Sequence, residues 1–356
     1  MHMADALLSP AVGGTMWAVS AAAIAYCSKK ARKELDDDKT PLMGVLGAFL
    51  FAAQMINFTI PGTGSSGHLG GGLLLAILLG PHAAFLTMAS VLVVQALFFA
   101  DGGLLALGCN IFNMGFIPAC LVYPLIYKRM IGTNPSRTRL TVAIMISAVI
   151  ALQLGPICVV LETVASGISA LPFSTFVLLM QPLHLAIGIV EGLATAAIIS
   201  LVYKARPELL ASVREPRPSG PISLRAVTLA FLAVALATGG IISHFASANP
   251  DGLEWAIRRT TGKPELEAIK TGIHGSLSSL QKHTAFLPDY AFKKPVTGAK
   301  GGGQPGSGKG VPGEAGRERG GSRLGSSVSG LIGGGITLGV ALMCGFLLRK
   351  RSHPPA

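Results

Sequence analysis

The segment Gly71-Gly-Leu-Leu-Leu-Ala-Ile-Leu-Leu-Gly80-Pro81 decides how many times this chain can cross a membrane. Residues 71–80 form an apolar run of only ten residues, and two residues separate it from a second apolar run, residues 83–100. A helix of ten residues is about 15 Å long, which is half the thickness of a hydrocarbon core of about 30 Å. The loops on either side must therefore show whether this segment counts as a crossing.

The composition of the whole chain is that of a polytopic membrane protein. Half of its 356 residues are hydrophobic, only 13% are charged, and the mean hydropathy is +0.57. The formal net charge of +12 comes largely from bases in short loops between apolar runs, where Lys and Arg mark the cytoplasmic side of a membrane protein. This placement argues against nucleic acid as a partner and makes the lipid bilayer the surroundings of the chain.

The flanking loops require three crossings between residue 59 and residue 128. The basic loops 28–40 and 128–139 belong on the cytoplasmic side, whereas the loop 59–70 contains no Lys or Arg. An odd number of crossings must connect 59–70 to 128–139, and three fit if 71–80 is a short helix that ends at Pro81. Such a helix has to be covered by protein. This places His68, in the loop before it, in the mouth of the bundle.

The apolar runs together predict an all-α, polytopic membrane helix bundle in the cell's inner (plasma) membrane. About seven spans occupy residues 1–206, a cytoplasmic linker covers 207–222, and a two-span unit covers 223–356. Between the last two spans lies an external segment, 243–328. It contains a turn into a short helix at 249–257 and a Gly/Ser/Lys-rich flexible linker at 295–327. The basic loops place the N-terminus outside and the C-terminus in the cytoplasm.

The first two residues can form a metal chelate. A histidine at position 2 offers three nitrogens together with its neighbour: the Met1 amine, the His2 amide and the His2 imidazole. The resulting rings have five and six members and favour the flat, four-nitrogen field typical of Ni²⁺ or Cu²⁺. His68 is the best candidate for the fourth nitrogen, because it lies in a Gly/Ser-rich loop on the same predicted side of the membrane.

Two further patterns bear on energy supply. The stretch Gly303-Gln-Pro-Gly-Ser-Gly-Lys-Gly310 lacks the hydroxyl residue that a phosphate-binding loop needs after its lysine, and it lies in the external segment. The chain is therefore expected to contain no ATPase. His184 and Glu191 are seven residues apart and share one helix face. They fit either a polar contact between helices or a proton path through the membrane.

Three stretches resemble a known family: MHMADAL at 1–7, GHLGGGLL at 67–74 and FADGGLLALGCNIFNMG at 99–115. They are similar to the nickel/cobalt substrate-binding membrane components NikM and CbiM of energy-coupling-factor transporters, over roughly residues 1–205. Residues 223–348 contain PDGLEW at 250–255 and FLPDY at 286–290. This part resembles the small two-span companion subunit NikN/CbiN, here fused to the first.

The resemblance implies a function, a site and partners. It implies the substrate-specific component of an ATP-driven importer for Ni²⁺ or Co²⁺, with the transported ion held by Met1, His2 and His68 and no permanently bound cofactor. The chain would not be an enzyme, because a membrane-embedded coupling subunit and cytoplasmic ATPase subunits would supply the energy. The start Met3-Ala-Asp-Ala6 favours nickel over cobalt. Two alternatives remain open: a self-sufficient, proton-coupled secondary transporter that uses His184 and Glu191, and a non-transporting metal sensor.

Overall fold

The computed structural model describes residues 2–35, 39–132, 135–169, 171–210, 222–263, 266, 269, 271–292 and 323–349. Within them the regular secondary structure is helical apart from one antiparallel hairpin, β1 (Phe58–Ile60) and β2 (Ser65–Gly67). The helices are α1 (Pro10–Glu34), α2 (Lys39–Gln54), α3 (Gly72–Leu79), α4 (Pro81–Phe99), α5 (Leu107–Ile131), α6 (Arg137–Ser166), α7 (Phe173–Ala205), α8 (Leu224–Gly240), α9 (Gly252–Thr261), α10 (Gly272–Thr284) and α11 (Arg323–Leu348).

The predicted all-α membrane bundle is confirmed. In the described part of the chain, six helices are long and apolar enough to cross a membrane: α1, α4, α5, α6, α7 and α11. The other predicted spans are shorter helices, since α2 has 16 residues, α8 has 17 and α3 has only eight. α5 differs from the rest because its centre, Phe112–Tyr127, is wound as a π-helix.

The short helix α3 lies where the loop argument placed it. All eight of its residues are buried, so protein covers the whole helix. Gly71 begins it at φ 75° and Gly80 ends it at φ 83°, both in the left-handed region that favours glycine. Pro81 then opens α4 at a position where its missing N–H is not needed. The chain therefore turns sharply between α3 and α4, and His68 lies just before the covered helix.

Several helices extend beyond the apolar runs that predict them. α1 continues through its basic end to Glu34, and α6 begins at Arg137, where the Ser136 hydroxyl accepts a hydrogen bond from the Arg139 backbone N–H at 3.2 Å. Long charged side chains such as Lys and Arg are good helix formers, so a helix need not end where hydrophobicity ends. The end of an apolar run therefore does not mark the end of its helix.

The last helices pack into the same bundle as the first ones. α8 and α11 both contact α2, where the rings of Phe49 and Phe231 meet edge to face at 5.6 Å. α11 begins at Arg323, so the last residues of the predicted flexible linker 295–327 are helical. Residues 293–322, which contain the rest of that linker and the stretch 303–310, lie outside the described residues. So do residues 211–221 of the predicted cytoplasmic linker.

Candidate metal site

The backbone that follows His2 is fixed against the start of α5. Asn110 accepts a hydrogen bond from the Met3 N–H at 2.8 Å and donates one to the Met3 carbonyl at 3.3 Å, and the Gly103 N–H donates to the same carbonyl at 2.9 Å. Gly102 has φ 84°, and a Cβ atom there would lie 3.2 Å from the His2 Cβ. These contacts hold residues 2–4, the N-terminal segment, in one position, which fixes where the His2 side chain begins.

The rings of His2 and His68 stack on each other. Their centroids are 5.3 Å apart and their planes differ by 17°. His2 Nε2 lies 3.1 Å from Gln95 Oε1, and His2 Nδ1 lies 3.2 Å from Asp101 Oδ1. His68 Nδ1 lies 3.1 Å from the Leu69 carbonyl oxygen, which can only accept a hydrogen bond. The neutral ring therefore has its proton on Nδ1 and its lone pair on Nε2. Two residues 66 positions apart thus meet in one place.

Both imidazoles are held in the neutral form. Burial lowers the pKa of His2 below its ordinary value, although the Asp101 carboxylate acts in the opposite direction. Burial also holds the pKa of His68 well below its ordinary value, and the neighbouring His2 adds to this effect. One nitrogen of a neutral imidazole has a free lone pair, which it can donate to a metal ion. The local environment therefore suits metal ligation at neutral pH.

Side chains from two helices hold the His68 loop, and a side chain from a third helix supports one of them. Glu191 on α7 accepts hydrogen bonds from the backbone N–H groups of Gly70 and Gly71, at 2.7 and 3.0 Å. Gln54 on α2 donates to the Gly70 carbonyl at 2.9 Å and accepts from Gln95 on α4, also at 2.9 Å. Because Gln95 also contacts His2, these amides connect the His68 loop to the N-terminal segment.

The segment between α8 and α11 covers the site. The backbone around Asp251 forms a parallel bridge to Ser66, whose N–H donates to the Pro250 carbonyl at 2.8 Å. The Trp255 indole donates to the Thr63 carbonyl at 3.0 Å. Asp251 caps α9 by accepting from the Glu254 N–H at 2.8 Å, which confirms the predicted turn into a short helix. The hairpin that precedes His68 is therefore held by the C-terminal part of the chain.

Tyr290 connects the same C-terminal segment to His2. Its hydroxyl donates a hydrogen bond to Asp101 Oδ2, and the other oxygen of that carboxylate faces His2 Nδ1. The Tyr290 ring stacks on Phe99, with centroids 5.2 Å apart and planes 22° apart. Burial and the Asp101 charge raise the pKa of Tyr290 well above its ordinary value, so the hydroxyl stays protonated and remains a donor.

A cavity of about 350 Å³ opens beside His2, between the N-terminal segment and described residues of the segment between α8 and α11. Carboxylates dominate its charged groups, and no Lys or Arg occurs among the described residues that line it; the acids are Asp5, Asp101, Asp251, Glu254 and Asp289. Burial would raise the pKa of Asp251, but the Glu254 N–H and nearby positive charge outweigh it and hold the pKa below the usual range. This electrostatic environment attracts cations.

The structure does not bring every candidate residue to this place. Met1 lies outside the described residues. His184 and Glu191 line a cavity together with His68 and Asp251. Their polar contacts differ: His184 Nδ1 lies 2.8 Å from the Met180 carbonyl, while Glu191 holds the His68 loop. His82 lies beside Glu34 at 3.0 Å and has no part in the site. No group of three or more His, Cys, Asp or Glu is placed to hold a metal ion within the described ranges. A metal at His2 and His68 would therefore need other donors, such as backbone nitrogen.

Comparison with known proteins identifies the family. A family model described as the cobalt uptake substrate-specific transmembrane region, CbiM, matches residues 2–209, more than half of the chain. The chain belongs to the CbiM family. A second model, the PDGLE domain, matches residues 225–350.

Relatives of this CbiM-family chain are transport proteins. One from Haloquadratum walsbyi, assigned to metal transport, is 39% identical over 210 residues, covering 59% of this chain and 93% of the relative. The fused nickel transport protein NikMN of Rhodobacter capsulatus is 32% identical over 234 residues, covering 61% and 65%. A crystal structure of a truncated transition metal transporter matches with a TM-score of 0.51 and 30% identity, covering 57% of this chain and 98% of that one. The chain is thus a membrane component of metal transport and not an enzyme.

Several polar residues that surround the two imidazoles in this CbiM-family protein are not indicated as site residues by the sequence. They are Gln54, Gln95, Asp101, Asp251 and Tyr290. A signal existed for the two glutamines, because an amide inside an apolar helix must find a partner. For the other three residues, which lie in loops, the sequence shows no partner. Their contacts with the site appear only when the chain is folded.

Proposed function

We propose that this protein is the substrate-specific component of an ATP-driven energy-coupling-factor importer for nickel or cobalt ions. The observation that carries the proposal is the pair of buried, stacked and neutral imidazoles of His2 and His68. Membership of the CbiM family and its nickel and cobalt transport relatives support the choice of substrate.

The ligands that we propose for the transported ion are all nitrogens. Met1 supplies its terminal amine, His2 its amide and Nδ1, and His68 its Nε2. Nδ1 is the required atom of His2, because only this nitrogen closes a six-membered ring with the amide. Four nitrogens in a plane favour Ni²⁺ over Zn²⁺, which prefers a tetrahedral site. Nickel is therefore the preferred ion in this proposal.

The topology and the partners belong to the same proposal. Residues 1–206 form the metal-binding component and residues 223–356 the companion unit, joined by a cytoplasmic linker at 207–222. The end that carries His2 faces the outside of the plasma membrane, and the C-terminus lies in the cytoplasm, as the basic loops favour. The energy comes from ATPase subunits that act through a membrane-embedded coupling subunit.

Nickel binding by the purified full-length protein tests the ligand set. Isothermal titration should show that the protein with a native N-terminus binds Ni²⁺ tightly, and that His2→Ala or His68→Ala lowers the affinity at least about 100-fold because each removes a nitrogen donor. An N-terminal extension should have a similar effect, because it converts the terminal amine into an amide.

His283→Ala is the matched control, since its Nδ1 contacts only the Ser279 carbonyl of its own helix among the described residues. This variant should bind nickel like the unmodified protein. If the extended form binds as tightly as the native form, the terminal amine is not a ligand and the proposed site is wrong.

A further inference from the structure

Two thiols from different helices face each other away from the candidate metal site. Cys27 on α1 and Cys120 on α5 have their sulfur atoms 3.9 Å apart. Cys27 is fully buried and Cys120 is partly buried. Cys27 lies 17 residues beyond Pro10, the first residue of α1, which is about 26 Å at the rise of an α-helix. The pair is therefore separate from the N-terminal segment, and none of the ligands proposed for nickel belongs to it.

The distance between the two sulfurs is that of two thiolates on one metal ion. A thiolate lies about 2.3 Å from a bound zinc ion, so two sulfurs on one such ion are about 3.8 Å apart at a tetrahedral angle and about 4.6 Å apart in a straight line. The observed 3.9 Å lies within that range. An ion can therefore bridge the two sulfurs with little movement of α1 against α5.

The ligands near the pair indicate which class of ion it suits. Thiolates are soft ligands that select Cu⁺ and Zn²⁺ among the biological metals. Structural Zn²⁺ takes four ligands, but the described ranges place no group of three or more His, Cys, Asp or Glu to hold a metal ion. Two thiolates satisfy the monovalent Cu⁺, because their charges already outweigh its own. The pair therefore suits Cu⁺ better than a divalent ion.

The pair lies next to a turn that reaches water. Cys120 Sγ is 4.0 Å from the carbonyl oxygen of Pro81, at the turn between α3 and α4. The next residue, His82, contacts Glu34, whose side chain is 42% exposed. On the topology proposed above, this turn faces the cytoplasm, where thiols are kept reduced. An ion that arrives from that side meets two thiols and not a disulfide.

The charges at this end of α1 suit an anionic metal site. Binding of Cu⁺ releases the two thiol protons, so the unit of two thiolates and one ion carries a single negative charge. Four basic residues follow Cys27 within six positions: Lys29, Lys30, Arg32 and Lys33. Glu34, the only acid of α1, lies against His82. The excess of positive charge stabilises a negative unit.

We propose that Cys27 and Cys120 form a binding site for Cu⁺ that is distinct from the nickel site. Both thiols lose their protons, and the two sulfurs hold the ion between α1 and α5 with no change in its oxidation state. The site connects the helix that follows the N-terminal segment to the part of α5 that is wound as a π-helix. This winding is rare in proteins and occurs frequently at functional sites.

Competition for Cu⁺ with a chromophoric chelator tests the site in the purified, reduced full-length protein without oxygen. Cys27→Ser and Cys120→Ser should each lower the Cu⁺ affinity at least about 100-fold, because a change to an outer partner of a ligand alone costs about 10–100-fold. Cys344→Ser is the matched control, since its sulfur faces the Ser90 hydroxyl at 3.9 Å and is partly buried like that of Cys120. This variant should bind Cu⁺ like the unmodified protein.

X-ray absorption at the copper edge of the unmodified protein gives a result that does not depend on any variant. It should show two sulfur neighbours and no nitrogen. Cys27→Ala, which leaves no buried hydroxyl, should bind as weakly as Cys27→Ser, and circular dichroism shows whether both are folded.

Unchanged Cu⁺ affinity in Cys27→Ser or Cys120→Ser would overturn the proposal, and so would nitrogen neighbours in the copper spectrum. Failure of the proposed nickel function gives a different result, because the unmodified protein would then not bind Ni²⁺ but would still hold Cu⁺ between two sulfurs.

Discussion

At the scale of single residues, the protonation state of the two imidazoles predicts how the nickel affinity depends on pH. Burial lowers the pKa of His2 and of His68, so both rings are already neutral at pH 7 and stay neutral as the pH falls somewhat below 6.5. Acid should therefore act on the other nitrogen donors first. A terminal amine has an ordinary pKa of about 7.7–8.0, and an amide must lose its proton to bind a metal in this way.

We expect the logarithm of the Ni²⁺ affinity to rise with pH with a slope of about 2 between pH 6 and pH 7, falling to about 1 above pH 8. Metal binding releases one proton from the amide over this whole pH range. It releases a second proton from the amine at pH values below the pKa of the amine. Competition titrations against a chelator of known pH dependence measure this slope. An additional increase of the slope below pH 6.5 would show that an imidazole titrates at its ordinary value, contrary to the effect of burial.

The sequence indicates candidate ligands for the metal but not the residues that surround them, for a physical reason. Chelation by residues 1 and 2 is local chemistry, and the glycine-rich loop around His68 is visible in the sequence. The contacts of Asp101 with His2 and with Tyr290 join residues 99 and 189 positions apart. Such contacts depend on the complete packing of the bundle, and no local pattern in the sequence predicts them.

At the scale of the elements, one side chain on α7 holds the loop that carries His68. Both oxygens of Glu191 accept backbone N–H groups, from Gly70 and Gly71. In Glu191→Gln one oxygen becomes an amide nitrogen, which cannot accept a hydrogen bond, and one buried N–H loses its partner. The free energy of unfolding should fall by about 1–3 kcal/mol, the usual effect of a buried unsatisfied donor. The nickel affinity should fall as well, because His68 is then held less firmly.

Chemical denaturation and nickel titration of the purified variant measure the two effects. Glu34→Gln is the control, because Glu34 contacts His82 away from the site and its side chain is 42% exposed. It should change neither quantity measurably. Normal nickel affinity in Glu191→Gln would show that the loop does not depend on α7.

The elements also show where sequence reasoning succeeds. Two constraints predict α3. The number of membrane crossings, which depends on the whole chain, requires a helix here, and Pro81, a local feature, indicates where that helix ends. The helix ends were less accurate because charged residues that leave the apolar region still favour the helical state, as at the end of α1. Hydropathy locates a span but does not determine the turn at which its helix stops.

At the scale of the whole molecule, the two units share one polar site. α9 and the residues around Tyr290 lie against the hairpin, the N-terminal segment and Asp101. The acidic cavity beside His2 has walls from both units. A single chain that joins them keeps these parts at a fixed ratio and in permanent proximity. This arrangement suits the capture of a cation, but the described residues show no source of energy for moving it.

Uptake by cells therefore depends on partners in our proposal. Cells that produce this chain together with a coupling subunit and ATPase subunits should accumulate ⁶³Ni²⁺, whereas cells that produce the chain alone, or with an ATPase unable to hydrolyse ATP, should not.

A proton-coupled secondary transporter would continue to accumulate nickel without the ATPase, and would lose this activity in His184→Ala and when the proton gradient is abolished. A metal sensor would bind nickel in membranes in every case and never accumulate it. Accumulation that survives loss of ATP hydrolysis would thus contradict the proposed role and select the secondary transporter.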